Sequence, residues 1–500
     1  MKTILIGNNY YIRTMKKYIL PLMSIAMLMA MASCSSSDDE MEEIKEESKL
    51  VPMTFTATQE SNVVTRSALN GSNGVVWQTG DKISVFDGQG NREFTLSGNV
   101  ADGKFSGTAS STATKFIAVY PYTEGAKLDK LDHVSGITLP AEQTATPNSF
   151  DPKAALMMAY TTDKSNLDFK NAVSLVKIQT KFACKKIVLQ AARASEYLAG
   201  MCTLSYGDGK PSITFTSEQS TYITLSGNIT ANTAYYIAVP AVTLSAGWSI
   251  SFTDNTGNVY TRTGSNSITF KRNTIINLGE FSRTDNNLKL TLKENGKVSA
   301  DKQVDMGVFN IGGTKYRLIF TKSNLTTTGL AANESDRGDY FAWGATEPWY
   351  TSYSGESFNG WKAGYSSGGY ASGTAPAFNG KYDGIKDFEM ADDPARQILG
   401  GDWQIPTQAI WQALVGIPTK GWDSGYKFTN NGQTLFLPAA GYVSGKYFRS
   451  VGSQGRYWSG TAYSSFYAYR LSFSSTKLNA DNLSRDNGCP VRPVRLVAVD

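Results

Sequence analysis

Apolar and polar positions alternate with a period of two through most of the chain. In MTFTAT, Met53, Phe55 and Ala57 alternate with threonines, the mark of a half-buried strand. Val75, Val76 and Trp77 then lead into Gly80-Asp81, a turn pair, followed by Ile83, Val85 and Phe86. Further strand candidates are Ser174–Thr180, Lys186–Gln190, Tyr235–Pro240 and Thr274–Phe281. The pattern breaks at TTDKSN, which ends at Asn166, and again over Thr284–Gln303, a polar, charged run read as a linker between independently folding units. Helical signals enter only beyond it. In ADDPARQILGG, Asp393 suits an N-cap, Pro394 the first turn and Gly400 the end. In IPTQAIWQALVG, Thr407 can cap, and Ile410, Trp411 and Leu414 share one face.

Five hundred residues exceed one core and predict about three domains. High Gly and Tyr fit a mostly β chain with many turns. Seven of the nine tryptophans lie beyond Tyr340, so the last domain differs in composition from the rest. The formal charge of +5 misleads. Residues 1–33 hold Lys2, Arg13, Lys16 and Lys17 and no acid, and removing those four from 48 leaves 44 basic against 43 acidic residues. With no basic stripe, no nucleic-acid partner is expected. One histidine, His133, cannot build a two-His zinc site, and no nucleophile motif stands beside it in LDHVSGITLP. No catalytic residue, metal or cofactor is assigned, and the chain is read as not an enzyme.

Met15–Cys34 has two lysines, an apolar run and a small-residue end, a secretory signal occupying residues 1–33. Its end, Met31-Ala32-Ser33-Cys34, resembles a bacterial lipobox, although Met stands at the first position in place of the usual Leu. The resemblance makes Cys34 the acylated N-terminus. The alternative is an ordinary cleavage near Ala32, and the place of the cysteine directly before SSSDDE favours lipidation. Residues 34–50 carry seven acids and read as a solvated tether. Such a tract also resembles the surface-export signal of some outer-membrane lipoproteins.

Four pieces in order carry a further resemblance: the F-x-A strand at Phe55, Thr65-Arg66, V-x-W-x-x-G-D-x-I-x-V ending at Val85, and FIAVYPY at Phe116–Tyr122. ALMMAYT at Ala155–Thr161 and LDFKNAVSLVKIQTKF at Leu167–Phe182 extend it. Over about 52–283 the chain resembles the fimbrillin family, pilins of certain Gram-negative anaerobes. Asn171 departs from the family's frequent His. The resemblance implies two β-sandwich-like domains, placed at 51–166 and 167–283. It also implies donor-strand exchange with other fimbrial subunits after proteolysis next to Arg66, a position where a surface-loop arginine reads equally well. Cys184 and Cys202 lie in neighbouring strand candidates in an oxidising compartment, and the alternation leaves open whether they are close enough for a disulfide.

GDYFAWGATEP, DDPARQILGGDWQIPT, LPAAGY, GRYWSG and VRPVR, in that order, resemble the major paralogous domain of bacterial surface lipoproteins over about 304–499. The resemblance implies an α+β, C-type-lectin-like fold, here residues 304–500, with long loops carrying the ligand site. The oxidase branch of that fold uses a cysteine pair. Cys489 stands alone just before VRPV, where a packing residue is usual, so oxidase chemistry is rejected. Asp481, Asn482, Asp486 and Asn487 cluster as turn residues do, and no calcium site is assigned.

Tyr457, Trp458, Leu471, Phe473, Val491 and Val494 read as core. Between the framework pieces GRYWS and VRPVR lies a turn-rich stretch crowded with Tyr, Phe, Ser and Asn, side chains of adaptable recognition surfaces. The ligand-binding candidates are Tyr463, Ser464, Ser465, Phe466, Tyr467 and Tyr469, with Asp481, Asn482 and Arg485. The alternative is that the aromatics pack against the Gly-rich loop running through Thr374. The reading is a fimbrial tip or minor pilin that adheres through a lectin-like head to a host or bacterial surface ligand, a glycan among the candidates. The alternative is a non-polymerising surface lipoprotein that binds glycans. Both place the chain at the cell surface, on the outer membrane through its lipid or in a fimbrium. Labelling with a fatty-acid analogue should mark the wild type and not Cys34→Ala; equal label on both removes the anchor.

Overall fold

The computed structural model describes residues 48–60, 68–69, 75–130, 132–285, 287–348, 353–354, 357–358, 387–445, 447–485 and 487–499, all within the unit Ser48–Asp500. Cys34, Arg66, Asp486 and most of the Gly-rich loop lie outside the described residues. The described chain is mostly β.

The first strand, Leu50–Gln59, is extended by its apolar alternation, which turns Phe55 and Ala57 inward. It lies antiparallel to Lys104–Ser110 on one side and parallel to Asn166–Asn171 on the other. Both of its edges are therefore used, and seven strands close into a barrel. In the first domain, expected to be sandwich-like, the barrel thus has no open edge. Phe55 packs 5.1 Å from Phe116 and 5.5 Å from Phe94, centroid to centroid. Trp77 meets Phe105, Tyr120 and Phe169 edge-on. The boundary expected at Asn166 falls on the first residue of the strand that closes this barrel.

The second part pairs a six-stranded sheet with a three-stranded one, Ala234–Pro240, Val173–Thr180 and Ile275–Phe281, around one apolar core. The two parts are laced together. His133–Leu139, which precedes Asn166, pairs with Ala199–Gly207, which follows it, and Glu142–Thr144 likewise pairs with Tyr222–Ile229. Cys184 and Cys202 form no disulfide: they lie in different sheets and in different cores. Burial pushes both thiols up to about 12, so neither is reactive. His133 is a strand residue beside Asp132, with Nδ1 2.5 Å from Oδ1.

The last part is α+β. Gln303–Ile311, Thr314–Thr321 and Val494–Ala498 form a sheet in which the final strand returns beside the opening hairpin. Both helices start and stop where their caps predict. Asp393 accepts from the Ala395 and Arg396 amides at the head of Pro394–Leu399, and also from Ile405 N at 2.8 Å. Burial nevertheless pushes its carboxyl up to about 6 against those bonds. Thr407 Oγ1 accepts from Ile410 N at the start of Gln408–Val415, whose Ile410, Trp411 and Leu414 face the core.

The polar run expected as a linker is itself packed. Lys289–Leu290 adds a strand to the six-stranded sheet, and Leu288 and Val298 are buried. Trp403 Nε1 donates to Asn295 O at 2.8 Å, and Lys297 N donates to Leu399 O. Arg317, almost fully buried, pairs with Asp305 Oδ2 at 2.8 Å and donates from Nη2 to the Arg283 and Leu288 carbonyls at 3.1 Å. A polar sequence hid this, because the buried positions are few and the segment offers mainly backbone carbonyls to donors elsewhere in the chain, Arg317 and Trp403. Arg317→Ala should cost about 3–5 kcal/mol by leaving Asp305 buried without its cation. Wild-type protein should resist trypsin at Lys289 and Lys293, whereas the variant is cut there. Rapid wild-type cleavage at both lysines would show that the packing does not persist in solution.

Candidate recognition surface

Three strands carry the surface: Gln454–Ala462, Tyr467–Ser474 and Leu478–Ser484. Their framework is buried. Tyr457, Trp458, Ser459, Val491, Arg492 and Val494 have almost no exposed surface. Trp458 Nε1 donates to Phe341 O at 2.7 Å, and Tyr457 Oη to Pro438 O at 2.8 Å. Gly455 is required by close approach, since a Cβ there would sit 2.0 Å from the Phe473 ring. Leu471 and Phe473 pack in the same core as the helix Gln408–Val415.

Alternation then decides what is presented. Tyr467 and Tyr469 continue the face of Leu471 and Phe473 beyond that core. Tyr467 opposes Ser484, and Tyr469 opposes Asn482. The turn between the first two strands is closed by Tyr463 N and Ser464 N, both donating to Tyr467 O. Ser464 Oγ accepts from Phe466 N and Tyr467 N, which fixes the tip without apolar packing. Tyr463, Phe466 and Tyr467 are 50%, 52% and 45% exposed. Tyr469 is half-buried and meets the Tyr463 ring edge-on at 5.2 Å. Ser464, Ser465 and Asn482 are half-buried beside them.

Two expected contact residues stand elsewhere. Arg485 is buried and is not an exposed contact. Its guanidinium lies 4.2 Å from the Trp343 ring centroid, its amide donates to Phe466 O, and Nε points to Tyr467 O at 3.4 Å. It props the aromatic turn from beneath. Asp481 points to the opposite face of the strand from Asn482 and bonds Arg470 Nε at 2.8 Å. Among the described residues beyond Val304, one further exposed aromatic escaped the sequence reading. Tyr447, 54% exposed, lies on the short strand Tyr447–Arg449 with the Arg449 guanidinium 5.0 Å from its ring centroid. Nothing in its sequence neighbourhood, GKYFRS, separates it from a core position. Cys489 is fully buried, and burial pushes its thiol up to about 12 despite the nearby Arg470 and Arg456.

Residues 423–494, which span this surface, match a family model described as a domain of unknown function (DUF8237). No curated protein matches the chain. Among solved structures, a candidate cell adhesion protein from Bacteroides uniformis aligns at 17% identity and a TM-score of 0.32, covering 48% of this chain and 96% of its own. A fimbrial protein from Bacteroides ovatus aligns at 11% identity and a TM-score of 0.23, over 88% of this chain and 98% of its own. The tip fimbrial protein Mfa3 from Porphyromonas gingivalis, with a C-terminal truncation, aligns at 10% identity and a TM-score of 0.19, over 46% and 94%.

Truncation separates scaffold from surface. Trp458→Ala should cost about 3–5 kcal/mol in a denaturant melt. Tyr463→Ala, Phe466→Ala and Tyr467→Ala should each stay within about 0.5 kcal/mol of wild type. If all three unfold the protein, the turn is core and the recognition surface lies elsewhere.

Proposed function

We propose that the chain is a fimbrial tip or minor pilin subunit, with a two-domain pilin body at 51–283 and an adhesive, C-type-lectin-like head at 304–500. The observation that carries the reading is the exposed aromatic turn at Tyr463–Tyr467, held on a buried framework and lying outside the core that framework builds. Rigid aromatics beside serines and an asparagine suit a contact surface for a saccharide or a protein. The head's closing pair, Thr314–Thr321 with Val494–Ala498, accords with the lectin-like resemblance of its motifs.

The strands support a terminal position for the subunit. Leu50–Gln59 is a single strand between two neighbours, and Arg66 follows it in the sequence. Cleavage there frees the strand together with the lipidated Cys34 and opens two edges for a strand from another subunit. Where a structural pilin would continue into a donor strand, this chain runs through Lys289–Leu290 into its head. A subunit that accepts a strand and offers none caps a fibre. The alternative, a surface lipoprotein that stays tethered at Cys34 and binds glycans, is favoured by one contact, the ion pair that Glu60 just past the first strand makes with Arg272. N-terminal sequencing of the protein on intact fimbriae decides between them. A start just after Arg66 is the expected result, and a protein that retains 34–66 sinks the polymerising reading.

A further inference from the structure

The first strand is held by more than its ladder. Glu60, the residue just past it, donates its amide to Phe169 O at 3.0 Å. Its carboxylate is gripped by both guanidinium nitrogens of Arg272, at 2.5 and 2.8 Å. Arg272 precedes the strand Ile275–Phe281 of the second part of the body, so the clasp crosses from one part to the other. Arg272 Nη1 also donates to Asn171 O at 2.8 Å, in the strand that pairs with the first strand's parallel edge. Both partners of the ion pair keep less than a fifth of their side-chain surface in water. The Arg272 hydrogen bonds hold the Glu60 carboxyl below its ordinary range.

Removing the first strand removes Glu60 but not Arg272. The guanidinium stays anchored to Asn171 O, at the end of the emptied groove. Among the described residues, the other cation there, Lys170, is already paired with Asp168 at 2.7 Å. One unmatched positive charge therefore remains beside an apolar slot shaped for Phe55 and Ala57. An incoming strand that covers this cation without an acid leaves a buried charge unpaired, which disfavours it relative to one that supplies the acid.

We propose that Arg272 selects the strand that replaces residues 50–59: the partner is a segment of another subunit with alternating apolar residues and a carboxylate three residues beyond the second inward side chain, running as the first strand does. This deepens the strand-exchange reading above and rests on it. The spacing is that of Phe55, Ala57 and Glu60, fixed by the ladder pair Gln59 with Phe169. The clasp thereby sets register as well as partner, because a slip of one residue turns the apolar set outward and moves the acid out of reach.

The test uses the full chain cleaved after Arg66. Two fluorescent peptides are offered, one copying residues 50–60 and one with Gln in place of the terminal Glu, and their dissociation is followed by anisotropy. On wild-type protein the Gln peptide should leave about tenfold faster or more, the effect of losing a charged hydrogen-bonded pair. On Arg272→Met both should leave at one rate. Entry of both peptides with equal dissociation from wild type overturns the acid requirement and leaves strand exchange standing. Entry of neither overturns strand exchange and this proposal with it.

Discussion

A guanidinium taken out of water must find carbonyls or a carboxylate, and the joints of this structure are built on that need. Arg317 gathers Asp305 and two carbonyls of the connecting segment. Arg492 joins Asn324, Thr321 O and Phe436 O, although burial pushes its pKa down to about 10. Arg495 donates to the Gln303 side chain. Such groups add little net stability compared with apolar residues of the same volume. Their effect is selective. Each tolerates only one arrangement of the segments that supply its acceptors, so the head closes in one way and meets the body in one way.

The barrel obeys the opposite logic. Its closure depends on a strand whose neighbours come from residues 104–110 and 166–171, and which buries Phe55 and Ala57, with Met53 buried in part. Burying so few apolar groups gives a weak hold for a strand of ten residues. The Glu60–Arg272 pair supplies what the strand's own burial does not. An ion pair at the end of a strand differs from a deep core contact in that another acid can remake it.

Local signals were legible, and long-range ones were not. Both helix caps, the buried Trp458 and Tyr457, and the exposed turn aromatics follow from side-chain chemistry within a few residues. The parallel pairing of Thr56 with Asn166 does not, since nothing local in either segment names the other, and so the closure of the first barrel is not legible in the sequence. Arg485 failed for a related reason. An arginine among Ser, Asp and Asn looks solvent-facing, and only the approach of Trp343 from far along the chain buries it. Cys184 and Cys202 are neighbours in sequence order and strangers in space, because consecutive strands enter different sheets.

The packed connecting segment changes how load would pass through the molecule. A tether of free residues stretches like an entropic spring and absorbs a pull before any contact feels it. Here Tyr260 pairs with Leu290 and Thr261 with Lys289, Trp403 bonds Asn295, and Arg317 spans both sides. Tension arriving at the aromatic turn therefore meets hydrogen bonds and a buried cation with no slack in series. The joint behaves as a stiff coupling, and a pull on either side of it is passed on rather than absorbed.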